Sequence, residues 1–353
     1  MITASGVKNI RHFSLPELEA FFSEMGEKKF RARQVWEWIW IKHAQSFADM
    51  TNLSKELRQK LGDNFTLPAL MVDATQYSSD GTIKSRFKTH EGHLCEGVLI
   101  PTDSRYTACV SSQIGCSLSC KFCATGYIDR KRNLDYDEIY DEVVLLNQQT
   151  EKTYGKKLSN IVFMGMGEPL LNYKNVLKAI ERITAEDGLG MSPRRITVST
   201  AGVAKMIRQL GDDKVRFKLA LSLHAPNDTK RNEIMPINES NNLKALIDAL
   251  NHFYKETKNE ITLEYILFKD FNDSEKDAQE LIKIYRQVPA DLVNIIEYNP
   301  IEFAKFEKPS EERVQQFMDT LAKAKVNAHL RRSRGKDIDA ACGQLANKEN
   351  KEV

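Results

Sequence analysis

The first sixty residues carry apolar side chains at the spacing of amphipathic helices. Ser14 and Glu17 have the spacing of a capping box, which predicts that the first helix begins there. Apolar residues then recur three and four positions apart, as on the buried face of a helix. They are Leu18, Phe21, Phe22, Phe30, Val35, Trp36, Ile39, Leu53, Leu57 and Leu61. The pattern predicts a small helical domain over residues 1–62.

Residues 63–104 have a more strand-like pattern. A Ser-Ser-Asp-Gly turn occupies positions 78–81, between two runs that read as strands. We expect a β-rich connector between the helical domain and the rest of the chain.

From about residue 105, short β-rich runs alternate with amphipathic helices. Predicted strands cover 107–111, 160–164, 195–199, 217–221, 262–267, 294–297 and 327–330. Asn172 is a candidate N-cap for one of the helices between them. Repeated β-then-α units imply a parallel sheet. Six or seven units suggest a complete or an incomplete α/β barrel over 105–346. An open doubly wound sheet is the alternative. After this domain, residues 347–353 form a charged tail. The apolar stripes of these helices contain Ile139, Val143, Leu146, Val176, Ile180, Ile183, Val314, Phe317 and Leu321.

Net charge gives no reason to expect a polyanionic partner, because 51 basic residues face 49 acidic ones. The distribution of charge is uneven. Residues 192–231 hold nine Lys/Arg against three Asp, and residues 323–336 hold six Lys/Arg and no acid. Such clusters can contact phosphates, although solvated surface is the commoner explanation of a charge run.

Nothing in the sequence predicts export or membrane insertion. No run approaches the roughly 20 apolar residues that span a bilayer. Four charged residues interrupt positions 1–22, so the segment has no apolar core of a signal peptide. Six cysteines in 353 residues are too few and too unevenly placed for a disulfide framework. We expect a cytoplasmic protein.

The chemistry is concentrated in one loop. Cys116, Cys120 and Cys123 form a C-x3-C-x2-C motif, with Phe122 before the last cysteine. Structural zinc sites and closed electron-transfer clusters use four ligands. Three ligands leave one iron of a 4Fe–4S cluster open, as in enzymes that bind S-adenosylmethionine (SAM) there. A zinc site completed by Cys109, Cys95 or a histidine is the alternative.

Polar residues recur where the predicted parallel strands end. Gly167 and Glu168 end one strand, and a glycine turn with a carboxylate suits an ammonium group. In barrels, the carboxyl ends of the strands form the rim where ligands bind. The other polar strand ends are Ser199-Thr200-Ala201-Gly202, Ser222-Leu223-His224 and Tyr298-Asn299-Pro300.

Longer motifs resemble the radical SAM RNA adenine methyltransferases, over residues 8 to 346. Within this class the chain is similar to the RlmN family, which methylates carbon 2. Pro169 after Glu168, and residues 332–335 (Arg-Ser-Arg-Gly), favour that branch over the Cfr family, which methylates carbon 8 and confers antibiotic resistance. The motifs are Cys109-Val110-Ser111-Ser112-Gln113, Cys123-Ala124-Thr125-Gly126, Gly165–Pro169, Ser222–Pro226, Met235-Pro236-Ile237-Asn238 and Asp337-Ile338-Asp339-Ala340-Ala341-Cys342-Gly343-Gln344-Leu345.

The resemblance implies a partial (β/α)6-type radical SAM barrel and a two-SAM reaction. Cys342 would accept a methyl group from the first SAM. A second SAM, cleaved at the cluster, would give a 5′-deoxyadenosyl radical that takes hydrogen from the S-methyl group. The carbon radical would add to C2 of adenine, and Cys109 would release the product as a Cys109–Cys342 disulfide. Glu96 occupies the position of the proton acceptor. Gly167, Glu168, Ser199, Ser222, Leu223, His224 and Asn299 would contact SAM.

The implied substrates are an adenosine of 23S rRNA near the peptidyl-transferase centre and the adenosine just 3′ of certain tRNA anticodons. The implied electron source is a low-potential donor of the flavodoxin or ferredoxin type. We expect a monomer. Cys95 has no assigned role. Two other classes stay open: a non-catalytic RNA-binding protein with a zinc or iron–sulfur knuckle, and a redox sensor that uses Cys109 and Cys342.

Overall fold

A computed structural model describes residues 8–348. Residues 1–7, and residues 349–353 of the expected charged tail, lie outside the described part. The N-terminal unit is helical, as predicted. Ser14 and Glu17 form the capping box, with the Ser14 N–H donating to Glu17 Oε2 at 2.7 Å. Its elements are β1 (Lys8–Asn9), α1 (Leu15–Glu24), α2 (Lys29–Trp40), α3 (Lys55–Asn64) and β2 (Phe65–Thr66), with β1 and β2 paired in parallel.

An aromatic contact joins the helical unit to the rest of the chain. The Tyr140 hydroxyl donates to the Trp40 carbonyl at 2.6 Å, and Trp36 Nε1 donates to Asp187 Oδ2 at 2.7 Å. The Arg182 guanidinium lies over the Trp36 and Trp40 rings at 4.9 and 5.1 Å. These contacts fix the helical unit against the helices that follow.

Four antiparallel strands form the beginning of a ten-stranded sheet: β3 (Met71–Tyr77), β4 (Ile83–Lys88), β5 (Leu94–Pro101) and β6 (Tyr106–Cys109). The turn predicted at 78–81 joins β3 to β4. Beyond β6 the chain makes a short antiparallel pair, β7 (Gln113–Ile114) with β8 (Arg132–Asn133).

The rest of the sheet is parallel and begins with β6, which belongs to both parts. The seven parallel strands are β6, β9 (Asn160–Phe163), β10 (Ile196–Thr200), β11 (Lys218–Ser222), β12 (Ile261–Leu267), β13 (Leu292–Glu297) and β14 (Ala328–Arg331). Each strand pairs with the one before it in this series. In a doubly wound sheet, the order of the strands reverses at a switch point. The sequential order therefore excludes that alternative and gives an arc of a barrel.

Helices connect successive parallel strands, and the apolar stripes found in the sequence face the core. Ile139, Val143, Val176 and Phe317 are all buried. Among residues 8–348, no helix is long and apolar enough to cross a membrane. The helices are α4 (Tyr136–Tyr154), α5 (Tyr173–Thr184), α6 (Ala204–Asp212), α7 (Asp228–Ile234), α8 (Leu243–Thr257), α9 (Glu275–Tyr285) and α10 (Glu311–Lys323).

Two sequence expectations need correction in detail. Asn172 occupies the N-cap position of α5, but its side chain makes no cap hydrogen bond. It donates instead to the Ser112 and Leu134 carbonyls at 2.8 and 2.7 Å. Arg231, counted among the surface bases of 192–231, is fully buried. Its guanidinium donates to the carbonyls of Leu223 and Ala201, so it braces the strand ends and is not a phosphate contact.

Candidate active site

The three-cysteine loop is closed at its base by the β7–β8 pair. The Cys116 N–H donates to the Ile128 carbonyl at 3.1 Å. Gly115 has φ of +74°, and a Cβ there would lie 2.4 Å from the Asp129 carbonyl oxygen. Only glycine fits this turn. The hairpin and the glycine bend residues 116–123 into a loop over the carboxyl ends of the parallel strands.

The sulfur atoms of Cys116, Cys120 and Cys123 line one cavity. Within the described chain, they do not form a group in which all ligand atoms lie within 4.8 Å of one another. Thiolates around a single zinc ion would lie about 3.8 Å apart, given a Zn–S bond of about 2.3 Å and tetrahedral geometry. Three thiols in one loop, without a fourth ligand in the motif, fit an iron–sulfur cluster with one open iron.

Burial raises the pKa of each loop thiol. The Cys116 pKa rises to about 11 and the pKa values of Cys120 and Cys123 also rise, with desolvation as the largest cause. A neutral thiol is a poor metal ligand. The loop therefore acquires its thiolates only when a cationic metal centre stabilises them.

The cavity beneath the loop opens to solvent. We call it the central cavity. Its rim includes Gly167, Glu168, Ser199, Ser222 and His224, so five of the predicted SAM contacts converge there. Leu223 and Asn299 lie outside its lining. The convergence follows from the parallel sheet, whose strands all end at one edge.

Glu168 is held rigidly at the rim. It is 3 % exposed, and its two oxygens accept from the N–H groups of Leu170 (3.0 Å) and Ala201 (2.7 Å). The preceding Gly167 has φ of +92°, and a Cβ there would lie 2.4 Å from the Gln113 Cβ. Burial raises the Glu168 pKa, and the Ala201 hydrogen bond opposes this rise.

Ser199, Ser222 and His224 present polar atoms beside Glu168. The two serine hydroxyl oxygens are 3.4 Å apart. His224 Nδ1 accepts from the Ile266 N–H at 3.2 Å, which leaves its proton on Nε2. Burial, together with the charge of Arg231, lowers the His224 pKa to about 3. The ring is neutral at physiological pH and offers one N–H donor.

Cys109 and Cys342 line the same cavity as the cluster loop. Cys109 is buried at the end of β6, and burial raises its pKa to about 12, with the nearby Cys342 as the second cause. Cys342 is accessible to solvent, yet protein atoms around the cavity raise its pKa to about 11. The positive charge of Arg331 opposes the rise in both pKa values. Two distant cysteines of the sequence thus meet beside the three-cysteine loop.

Comparisons with known proteins agree with this geometry. Residues 8–67 match the ribosomal RNA large subunit methyltransferase N-terminal domain, and residues 110–282 match the radical SAM superfamily. A probable dual-specificity RNA methyltransferase RlmN from Cytophaga hutchinsonii is 58% identical, covering 98% of this chain and 94% of the relative. Its counterpart in Flavobacterium psychrophilum is 52% identical, covering 97% and 98%. The chain belongs to the RlmN family of radical SAM RNA methyltransferases.

A solved structure supports the same assignment. A radical SAM methyltransferase from Sphaerobacter thermophilus is 39% identical to this RlmN family member and superposes with a TM-score of 0.90. The match covers 96% of this chain and 99% of that chain. The predicted radical SAM barrel with its N-terminal helical unit is therefore confirmed.

As a radical SAM protein, this RlmN family member uses a 4Fe–4S cluster and SAM, as the cysteine motif predicted. The residues present fit both groups. Three thiols of one loop face the cavity, and Glu168 and the serines face it from the strand ends. The buried Oδ1 of Asn299 has no hydrogen-bond partner among the described residues, which leaves an acceptor near this edge.

Asn299 and Glu96 bind the C-terminal segment of this family member, which we define as residues 339–348. Asn299 Nδ2 donates to the Cys342 carbonyl at 3.2 Å. Glu96 does not line the central cavity. Its Oε2 accepts from the N–H groups of Ala346 (2.9 Å) and Asn347 (3.1 Å), and its Oε1 lies 3.8 Å from Lys84 Nζ. Both side chains thus hold the segment that carries Cys342.

Sequence reasoning missed two charged residues of the cavity wall in this RlmN family member. Glu264 lies in the middle of β12 and Arg331 ends β14, and both line the central cavity. A single carboxylate within the apolar run Ile-Thr-Leu-Glu-Tyr-Ile-Leu was a usable signal, because charged residues are rare in buried parallel strands. Arg331 was concealed within the basic segment 323–336.

Proposed function

We propose that this protein methylates carbon 2 of adenosine in 23S rRNA and in certain tRNAs, with Cys342 as the methyl carrier and two SAM molecules per turnover. The observation that supports it most is the position of Cys109 and Cys342 on one cavity with the three-cysteine loop. The relatives named as dual-specificity RNA methyltransferases supply the substrate class.

Cys342 has the properties that a methyl carrier needs. It reaches both the cavity and solvent, so it can meet SAM and afterwards an RNA base. As a thiolate it would attack the methyl carbon of the first SAM, forming a thioether and releasing S-adenosylhomocysteine. Burial raises the Cys342 pKa, and the positive charge of the nearby Arg331 opposes this rise.

A radical is required because C2 of adenine is neither acidic nor nucleophilic. Cys116, Cys120 and Cys123 would hold a 4Fe–4S cluster, which would supply the electron for reductive cleavage of the second SAM. Cys342 would hold the methyl group from which hydrogen is taken, and that carbon would then bond to C2. The adduct would give up one electron to a one-electron acceptor such as an iron–sulfur centre and the C2 proton to a base, the role predicted for Glu96. Attack by the Cys109 thiolate on the Cys342 sulfur would release the methylated base and leave a disulfide, which two electrons must reduce before the next turnover.

We assign Gly167, Glu168, Ser199, Ser222, Leu223, His224 and Asn299 to SAM binding. The neutral His224 can donate from Nε2, and the Glu168 carboxylate can accept from the SAM ammonium. Glu96 stays a predicted proton acceptor. Its hydrogen bonds to Ala346 and Asn347 also support a positioning role for the C-terminal segment.

The remaining partners follow from the chemistry. Cleavage of SAM needs a low-potential one-electron donor, so we propose a protein of the flavodoxin or ferredoxin type. All six cysteines are unpaired, which suits a reducing cytoplasm. We propose a monomer that works in the cytoplasm.

Mass spectrometry of the modified nucleoside tests the proposed function. The protein, reconstituted without oxygen, is given SAM, a reductant and an rRNA fragment or tRNA that contains the target adenosine. The expected product is 2-methyladenosine, identified against standards after digestion of the RNA. 8-Methyladenosine would assign the protein to the antibiotic-resistance branch. An intact cluster that never cleaves SAM would exclude the proposed function.

Replacement of Glu168 by glutamine is expected to weaken SAM binding by about tenfold to a hundredfold, because a charge-assisted hydrogen bond of about 1.5–3 kcal/mol is lost. The wild-type affinity should also depend on pH. Burial raises the Glu168 pKa, so the carboxyl becomes neutral at a higher pH than an ordinary glutamate. SAM affinity should therefore fall as pH decreases through this raised pKa.

Equilibrium dialysis of SAM across pH 5 to 8 measures this dependence. Glu307→Gln is the matched control, since Glu307 is exposed and pairs only with Lys269 in the structure. An equally steep pH dependence in Glu168→Gln would show that another group is responsible.

A further inference from the structure

Glu264 is a carboxylate in a position where burial is costly. It is the fourth residue of β12, between strands β11 and β13, and is 3 % exposed. Its neighbours Leu263 and Tyr265 are fully buried. A carboxylate in such surroundings is retained only when hydrogen bonds or opposite charges compensate the lost hydration.

Only half of this carboxylate is compensated. Oε1 accepts from Asn294 Nδ2 at 2.8 Å and from the Thr262 hydroxyl at 3.3 Å. Oε2 is buried and has no hydrogen-bond partner among the described residues. Because Glu264 lines the central cavity, Oε2 is available to a donor that enters it. A buried acceptor without a partner is rare in folded proteins and calls for an explanation.

Arg331 lies next to this free oxygen. Its Nη1 is 3.9 Å from Glu264 Oε2 and 3.9 Å from Met164 Sδ, both longer than an ordinary N–H···O hydrogen bond. The guanidinium also lines the central cavity. The cavity wall therefore offers an acceptor without a hydrogen bond beside a guanidinium whose contacts with Glu264 and Met164 are long.

Adenine has the complementary pattern on one edge, where its exocyclic N6 amino group donates and the adjacent N7 accepts. We propose that Glu264 and Arg331 form the recognition pair for the reacting adenine, with Glu264 Oε2 accepting from N6 and Arg331 donating to N7. The proposal rests on the proposed function. Contacts at N6 and N7 leave C2, on the opposite side of the six-membered ring, free to react.

SAM also contains adenine, so the source of the ring has to be decided. Two observations favour the RNA base. Asn299 Nδ2 donates to the carbonyl of Cys342, which carries the methyl group, and to the hydroxyl of Ser333, two residues after Arg331. Arg331 Nη1 lies 3.9 Å from Met164 Sδ, and the Met164 backbone forms a hydrogen bond with Cys109, which is assigned to product release. A base that bonds to Cys342 and is released by Cys109 has to lie beside this pair.

A double-mutant cycle tests the contact with the base. Wild-type protein and Glu264→Gln are each given two RNAs that differ only in having adenosine or inosine at the target. Inosine replaces the amino donor by a carbonyl acceptor. In Glu264→Gln, the donation from Asn294 would fix the amide oxygen, so the amide NH₂ would face the cavity. This NH₂ group would face the N6 amino group of adenine, donor against donor, but it could donate to the O6 carbonyl of inosine.

We expect the ratio of adenosine to inosine methylation to fall about tenfold to a hundredfold in Glu264→Gln, with an absolute gain on inosine. The intrinsic reactivities of the two bases cancel in the cycle. The matched control is Glu260→Gln, an exposed glutamate that precedes the same strand and pairs with Lys218, which should keep the wild-type ratio.

Any other result would contradict the proposed recognition pair. Equal loss on both RNAs in Glu264→Gln, partial or complete, would assign Glu264 a structural role. An unchanged ratio with a raised KM for SAM would assign the carboxylate to the SAM adenine. Wild-type protein that cleaves SAM but methylates neither RNA would refute the proposed function itself, and this outcome is separate because it does not depend on any variant.

Discussion

Replacement of Cys342 by alanine is expected to lower RNA methylation by about 10⁴-fold or more. The proposed reaction passes its methyl group through this sulfur, and alanine has no atom that can carry the group. The three-cysteine loop is untouched, so the variant should still assemble a cluster and cleave SAM. Mass spectrometry of the RNA and of the digested protein measures both methyl transfer and the loss of the S-methylcysteine.

Two further cysteine variants make this result specific. Cys95→Ala is the matched control, since Cys95 is buried in β5 away from the cavity, and it should retain methylation. Cys109→Ala should still load the methyl group onto Cys342 but fail to release the product, so a covalent protein–RNA adduct should accumulate. Full methylation by Cys342→Ala would refute the carrier role.

Replacement of Cys120 by alanine is expected to abolish reductive SAM cleavage. Two remaining loop thiols cannot hold the cluster, because a second iron would lack a protein ligand. Iron content, visible absorption and 5′-deoxyadenosine formation should all fall to background. Methylation should disappear with them.

Thermal unfolding separates loss of the cluster from loss of the fold. The sheet does not use the Cys120 side chain, so the cluster-free forms of the variant and of the wild type should unfold at similar temperatures. Only the wild type should gain stability on reconstitution, since a ligand that binds the folded state shifts its unfolding. A Cys120→Ala protein that still forms 5′-deoxyadenosine would contradict the ligand assignment.

The elements set by local pattern were predictable from the sequence. All seven parallel strands occur where the apolar runs predicted them, and the capping box at Ser14 begins α1. The three-cysteine loop was also predictable, because its ligands are neighbours in the chain. Polar residues at strand ends were informative because parallel strands end at one edge.

What the sequence could not show depends on contacts between distant residues. Arg231 is a base within a basic segment, and only the folded chain reveals that it is buried against the strand ends. Glu96 contacts the backbone of residues about 250 positions away. Glu264 Oε2 has no hydrogen bond because the donors of Asn294 and Thr262 both reach Oε1. Such details follow from tertiary geometry and have no local pattern.

The attachment of the C-terminal segment has a consequence for the order of folding. The contact between Glu96 and Ala346 closes a loop of 250 residues, whereas each parallel strand pairs with its immediate predecessor. Contacts between sequence neighbours form sooner than those that close long loops. The barrel can therefore fold before the segment with Cys342 docks. Hydrogen bonds from Glu96, Asn299 and Thr125, together with the burial of Ala341 and Leu345, then hold the segment, so its docking completes the wall of the central cavity only after the sheet has formed.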